Sequence, residues 1–257
     1  MDKQQWLRFE HAGTTGFGTL SGGTITVYQG NMFASPKPAG KTLALDAVTL
    51  LAPTEPTKMI GLWNNFAALG TKLGLEIPPE PLYFLKGNNS FLAGGQTIRQ
   101  PETYNGRVVF EGELGIVIGS VCSNADEAKA QSCIFGYTCI NDVTAFDLLN
   151  KDPSFQQWTR AKSFDTFGVF GPVVATGLDP ETLVIRTILE GEERQNYPVS
   201  DMHVKPAKLV SLISRDMTLF PGDVIACGTS LGAGKMKRGS TIEIAIDGIG
   251  SLTNRFE

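Results

Sequence analysis

Histidine is nearly missing from this chain, with His11 and His203 the only two in 257 residues. Cysteine is scarce too: there are four, and no two form a CxxC pair. Zinc sites and disulfide frameworks need closely spaced Cys or His, so both are disfavoured. Cys122, Cys133, Cys139 and Cys227 stand mostly among apolar neighbours and read as buried free thiols. No uninterrupted apolar run approaches the ~20 residues of a membrane span. The opening Met1-Asp2-Lys3-Gln4-Gln5-Trp6 lacks the apolar core of a secretion signal. The expectation is a cytoplasmic protein with no membrane partner. Positive charge is not in excess either, since 22 Lys and Arg face 26 Asp and Glu for a net charge of -4. That balance leaves no electrostatic footprint for nucleic acid. A small-molecule site is the better expectation.

What is present suits a chain with a substantial core: 42% of residues are hydrophobic and 19% charged. Residues 1–55 read as a small β-rich N-terminal domain and 56–257 as the main one. Leu7 to Glu10 alternates, Gly16 to Leu20 leads through Ser21-Gly22-Gly23 into Thr24 to Tyr28, and Val48 to Ala52 stops at Pro53. The glycine turns are not phosphate loops, because no Lys-Ser/Thr follows and no helix opens from them. Further strands are expected at 59–63, 82–86, 107–110, 113–118, 167–175, 183–189, 224–227, 241–246 and 250–255. Helices are expected over 64–73, from Ser123 to before Gly136, and over Pro206 to Met217. Many strands, few helices and no βαβα rhythm predict a mostly-β α+β fold.

The chemistry centres on Val108-Val109-Phe110-Glu111-Gly112-Glu113-Leu114-Gly115-Ile116. Glu111 and Glu113 are two apart in a strand pattern, so both carboxylates share a face. Two negative charges in apolar surroundings need neutralising. Asp142 ends an apolar strand 29 residues after Glu113 and is the candidate third ligand. Three oxygen donors suit Mg²⁺ or Mn²⁺. On the residues alone, a solvated strand face with Asp142 capping a turn explains the acids equally well. Lys162 lies in the aromatic-rich Gln157-Trp158-Thr159-Arg160-Ala161-Lys162-Ser163-Phe164-Asp165, which is read as running on into the next strand. A lysine near a metal can bind a substrate carboxylate or move a proton; pairing with Asp165 or Asp142 is the structural alternative. Gln157, Arg160 and Lys86 are further candidates for substrate contact, with surface charge the alternative for Arg160.

These pieces together resemble the fumarylacetoacetate hydrolase family over roughly 58–257. The resemblance rests on Gly61-Leu62, Pro81 to Lys86, Glu111-Gly112-Glu113-Leu114, Gly136-Tyr137-Thr138 with Asn141-Asp142-Val143-Thr144-Ala145, Lys162-Ser163-Phe164-Asp165, Gly171-Pro172, and Pro221-Gly222-Asp223-Val224-Ile225 followed by Gly228-Thr229. It implies a mixed β-roll catalytic domain, a homodimer, and Mg²⁺ (or Mn²⁺) on Glu111, Glu113 and Asp142. It also implies Lys162 and Thr229 at the substrate. The chain departs from the family at Asn64 to Gly70, where hydrolytic members carry a water-activating His, often followed by a Glu. Ala67 stands at the corresponding position. Phe146 and Leu149 stand where some relatives have an Arg and a Gln.

The resemblance implies an enzyme acting on a small 2-oxo acid or 1,3-dicarbonyl compound through an enolate. Its default reaction is C–C bond hydrolysis of an acylpyruvate or fumarylacetoacetate-like diketone. Isomerisation, tautomerisation or decarboxylation gains ground without the histidine, and a non-catalytic metal- or ligand-binding homologue is the rival from another class.

Overall fold

Alternating residues in the first part of the chain are used to build hairpins. In the computed structural model, which describes residues 2–257, four strands form an antiparallel meander: β1 (Gln5–His11), β2 (Thr14–Ser21), β3 (Thr24–Asn31) and β4 (Ala34–Ala44). Ala12-Gly13 and Gly22-Gly23 turn the first two hairpins, all four residues at positive φ. Such turns match the twist of the strands they join. The pattern does not foretell β4, because Pro36, Pro38 and Gly40 read as breakers. The strand survives at the outer edge of its sheet, where a proline costs no ladder hydrogen bond.

The same sheet continues through β5 (Met59–Trp63), β6 (Leu82–Lys86), β7 (Gly112–Ile118), β8 (Ile134–Asp142), β9 (Gly168–Ala175) and β10 (Val224–Ala226). The strand order is β4-β3-β2-β1-β9-β8-β7-β10-β5-β6, with β10 and β5 parallel and every other neighbouring pair on this path antiparallel. The N-terminal meander therefore joins the main sheet through Trp6 opposite Val174. All seven residues of β7 are buried, as expected of a strand covered on both faces. One cover is a five-stranded sheet that includes Val184–Leu189, Glu192–Pro198, Thr241–Ile246 and Gly250–Phe256. A small third sheet joins Val108–Phe110 to Thr144–Ala145 and Gly234–Lys235. The mostly-β α+β architecture is the one expected.

Gly112 marks a change of sheet. Val108–Phe110 belongs to the small sheet and β7 to the large one, so Glu111 is the single residue between them. A Cβ at Gly112 would lie 2.0 Å from Thr187 Oγ1, so only glycine lets the second sheet approach this closely.

Helices fill the margins. α1 (Ala67–Leu73) ends at Gly74, whose left-handed backbone (φ 66°) lets its N–H reach Gly70 O and Thr71 O. It begins three residues later than expected, since Asn64 has φ 55° and Phe66 is extended. α2 (Glu127–Cys133) is capped by Asp126, which accepts from Lys129 N, rather than by Ser123. α3 (Phe146–Leu149) and α4 (Trp158–Lys162) are short. α4 occupies the aromatic-rich stretch ahead of β9, to which the sequence pattern assigns no element of its own. α5 (Pro206–Asp216) opens on proline and buries Leu209, Val210 and Ile213. Each such side chain contributes roughly 1.5–3 kcal/mol. Ser211 and Ser214 of α5 hydrogen-bond the main chain of Ala125, just ahead of α2. The four cysteines are free and buried. Among the described residues, no helix is long and apolar enough to cross a membrane.

Candidate active site

Strand register explains how acids 29 residues apart meet. β7 and β8 are antiparallel with Gly112 opposite Asn141. One step further out, Asp142 N donates to Glu111 O at 2.8 Å. Residues facing each other across an antiparallel pair share a face, and so does Glu113, two along from Glu111. The carboxylates of Glu111, Glu113 and Asp142 accordingly offer oxygens within 4.8 Å of one another. Glu113 and Asp142 are buried, while Glu111 is partly exposed.

Two lysines balance part of this charge. Lys162, at the end of α4, donates from Nζ to Glu111 Oε2 at 2.8 Å and Asp142 Oδ2 at 2.6 Å. Lys86, at the end of β6, bonds Asp142 Oδ1 from the other side and Val143 O at 3.3 Å. Burial alone would lower the Lys162 ammonium's pKa, but the charges of Asp142, Glu111 and Glu113 outweigh it and hold the group above its ordinary value. Burial wins at Lys86 and pulls it down, against the pull of Asp142. At Asp142 burial is overcome by both lysines, and the carboxyl sits below its ordinary range. Glu113 has no such partner. Burial first, then the Asp142 charge, pushes its carboxyl well above the ordinary range.

Glu113 Oε2 accepts from Gly228 N at 2.8 Å, whereas Oε1 is buried with no hydrogen-bond partner among the described residues. A buried carboxylate oxygen left unpaired is costly. With three carboxylates facing two ammonium groups, that oxygen is where further positive charge fits. The all-oxygen donor set suits a hard divalent cation. The residues present fit the expected metal.

The supporting residues mostly escape sequence reasoning. Thr144 Oγ1 donates to Glu111 Oε1 at 2.7 Å, leaving Oε2 to Lys162. Gln195, from the five-stranded sheet, accepts from Gly112 N at 3.0 Å and Thr187 Oγ1 at 2.9 Å. Its amide donates to Thr229 Oγ1 at 2.9 Å and to Ser230 O at 3.2 Å. The Tyr197 hydroxyl donates to Gly112 O. A single buried amide therefore ties the Glu-Gly-Glu backbone to the Gly228-Thr229-Ser230 turn. The only trace in the sequence is a polar residue in a hairpin arm.

The other expected residues divide. Thr229 lies beside the acids, with its hydroxyl donating to Gly112 O at 3.1 Å. Lys86 is buried behind Asp142. Gln157 is half-buried at the start of α4, and Arg160 is exposed on that helix, away from the side that carries Lys162. α1 is tied to the site wall through Asn65, whose Nδ2 donates to Cys227 O at 3.0 Å. Its residues, Ala67 to Leu73, include no His, Asp or Glu. Phe146 lies half-exposed against the Arg107 guanidinium, and Leu149 is buried.

Residues 58–257 match the family described as fumarylacetoacetate (FAA) hydrolase C-terminal, and residues 5–53 the one described as Rv2993c-like, N-terminal. The structure is similar to that of 2-hydroxyhepta-2,4-diene-1,7-dioate isomerase from Mycobacterium marinum, with TM-score 0.90 and 36% identity over 98% of each chain. The sequence is 34% identical over 227 residues to the oxaloacetate tautomerase YisK of Bacillus subtilis, covering 83% of this chain and 74% of that one. Fumarylpyruvate hydrolase from Pseudomonas aeruginosa, in complex with Mn²⁺ and pyruvate, is similar over 80% of this chain and 90% of that one, with TM-score 0.72 and 27% identity.

Proposed function

Because the chain belongs to the fumarylacetoacetate (FAA) hydrolase family, we propose that it is a divalent-cation-dependent enzyme that tautomerises or isomerises a small 2-oxo acid through its enolate. The relatives described above are a tautomerase, an isomerase and a hydrolase. One observation favours proton transfer among these chemistries. The site is rich in groups that hold charge and protons, yet α1 beside it offers no imidazole or carboxylate to activate water.

Glu111, Glu113 and Asp142 would hold Mg²⁺ or Mn²⁺. The chemistry such an ion supplies is Lewis-acid polarisation of a carbonyl oxygen. Lys162 reaches both Glu111 and Asp142, so its ammonium binds the substrate carboxylate or hands a proton to the substrate carbon. Lys86 keeps Asp142 ionised and aimed, since it has no exposed surface of its own. Thr229 supplies a hydroxyl at the rim, and Gly228 N orients Glu113. Burial excludes bulk water and strengthens these interactions.

The test is enol-to-keto conversion of oxaloacetate, followed by loss of the enol absorbance with Mg²⁺ or Mn²⁺ and again after chelation. Acceleration that needs the cation is expected. Metal binding without acceleration of oxaloacetate or any other 2-oxo acid would sink the enzyme reading and leave a metal-binding homologue. C–C hydrolysis is the second reading, favoured by the fumarylpyruvate hydrolase neighbour. It is separated by assaying acylpyruvate cleavage in Ala67→His. A gain in cleavage over a low starting rate is expected if α1 lacks only its base, whereas strong cleavage by the unaltered chain would favour hydrolysis.

A further inference from the structure

Next to the charged cluster lies an aromatic groove of about 390 Å³, walled by Trp63, Leu82, Tyr83, Phe84, Gln156 and Trp158. We propose that this groove is the subsite for a flat, apolar ring on the substrate, so that the preferred substrates are 2-oxo acids bearing an aryl group. The proposal rests on the reading of the neighbouring cluster as the site for a 2-oxo acid head.

Two independent elements connect head and ring. Trp158 and Lys162 are four residues apart on α4, so they lie on one side of that helix. Phe84 and Lys86 are two apart on β6 and share a face of the sheet. Each element thus presents one charged group to Asp142 and one aromatic ring to the groove. Phe84 is their meeting point: Lys162 Nζ is 5.2 Å from its ring centroid, and Trp158 stacks on it at 5.4 Å with 14° between planes. Trp63 adds a third ring, 5.1 Å from Trp158. Gly61 opposite Phe84 completes the floor, because a Cβ there would lie 2.4 Å from the Phe84 ring.

Anchoring α4 on the sheet would require Phe84 to be buried, and it is. It would not require two indoles to stay half-exposed beside Leu82, which is itself 45% exposed. The Trp158 Nε1 donates to Gln156 Oε1 at 2.9 Å, so its polar edge is satisfied and its faces are left for apolar contact. The volume is that of a small-ligand pocket. Flat rings stack well on flat walls, whereas a short chain such as a methyl group leaves most of the groove wet.

The experiment compares phenylpyruvate and pyruvate as ligands of the Mg²⁺-loaded protein by calorimetry. Phenylpyruvate is expected to bind about tenfold more tightly. It should also quench tryptophan fluorescence, two of the chain's three tryptophans being in the groove. Trp158→Ala should erase the preference while leaving pyruvate affinity within about twofold. Trp63→Ala lies on a different element from Lys162 and should do the same, which guards against simple disturbance of α4. Equal affinities in the unaltered protein, or equal losses for both acids in both variants, overturn the subsite alone. Variants that change the molar mass in solution would assign the groove to a second copy of the chain and likewise overturn it. If neither acid binds in the presence of metal, the parent reading falls as well.

Discussion

Glu113 is the residue on which the charge balance turns. Glu111 has Thr144 and Lys162, and Asp142 has two lysines, but Glu113 has one backbone N–H and an oxygen with no partner among the described residues. Burial and the nearby Asp142 therefore raise its pKa well above the ordinary carboxylate value. In the metal-free chain the folded state holds this proton more tightly than the unfolded state. The associated stability is complete below the unfolded carboxyl's pKa and declines as pH rises through the raised folded value. A cation must displace the same proton, so metal affinity should increase with pH over that window. Calorimetry of Mn²⁺ binding in buffers of different ionisation heat should reveal proton release below the raised value. Glu113→Gln keeps the size and loses the charge. It should abolish both binding and proton release while leaving the metal-free fold at least as stable; undiminished Mn²⁺ affinity would refute the ligand assignment. Lys86 tests the opposite sign. Lys86→Met leaves Asp142 with one cation instead of two and should cost about 3–5 kcal/mol in urea unfolding, the usual penalty for breaking a buried pair.

Between residues and fold stands the short segment from Val108 to Ile118, which crosses from one sheet to another at Glu111. Gly112 permits the crossing, since a methyl group there meets Thr187 Oγ1, Ile244 Cδ1 and Gln195 Oε1. Gly112→Ala should destabilise by about 1–3 kcal/mol and weaken metal binding as well, because the backbone that the methyl group would push aside carries both glutamates. A variant with normal Mn²⁺ affinity would show that the sheet, not the site, absorbs the strain. Legibility in sequence follows the range of the interaction. Glu111 and Glu113 share a face by strand alternation, and Asp142 ends an apolar run, so the three acids are candidates locally, but a solvated face explains them equally well until the family resemblance joins them. Gln195, Thr187 and Tyr197 reach the site from another sheet, and their sequence neighbours carry no mark of it. The edge strand Ala34–Ala44 is hidden for a different reason: its prolines and glycine oppose a strand until its place at the sheet margin is known. α4 is hidden by its brevity, because five residues show no helical period.

At the scale of the whole molecule the site is a junction. The large sheet supplies Glu113 and Asp142, the small sheet abuts Glu111 and supplies Thr144, and the five-stranded sheet supplies Gln195. The turn Gly228-Thr229-Ser230 is tied to them through Glu113 and Gln195. A cation bound by the three acids would cross-link elements that the lysines alone hold against a residual negative charge. Ligands that bind only the folded state stabilise it by mass action, about 2.7 kcal/mol at a hundredfold excess over Kd. For a chain of this size that corresponds to a thermal midpoint raised by about 5–10 °C. The gain should be matched by slower amide exchange near Gly112, Asn141 and Gly228, with the outer meander β2–β4 little changed. An unshifted midpoint at saturating Mn²⁺, or protection spread evenly across the meander, would mean that the acids are held by their lysines alone and that the junction needs no metal.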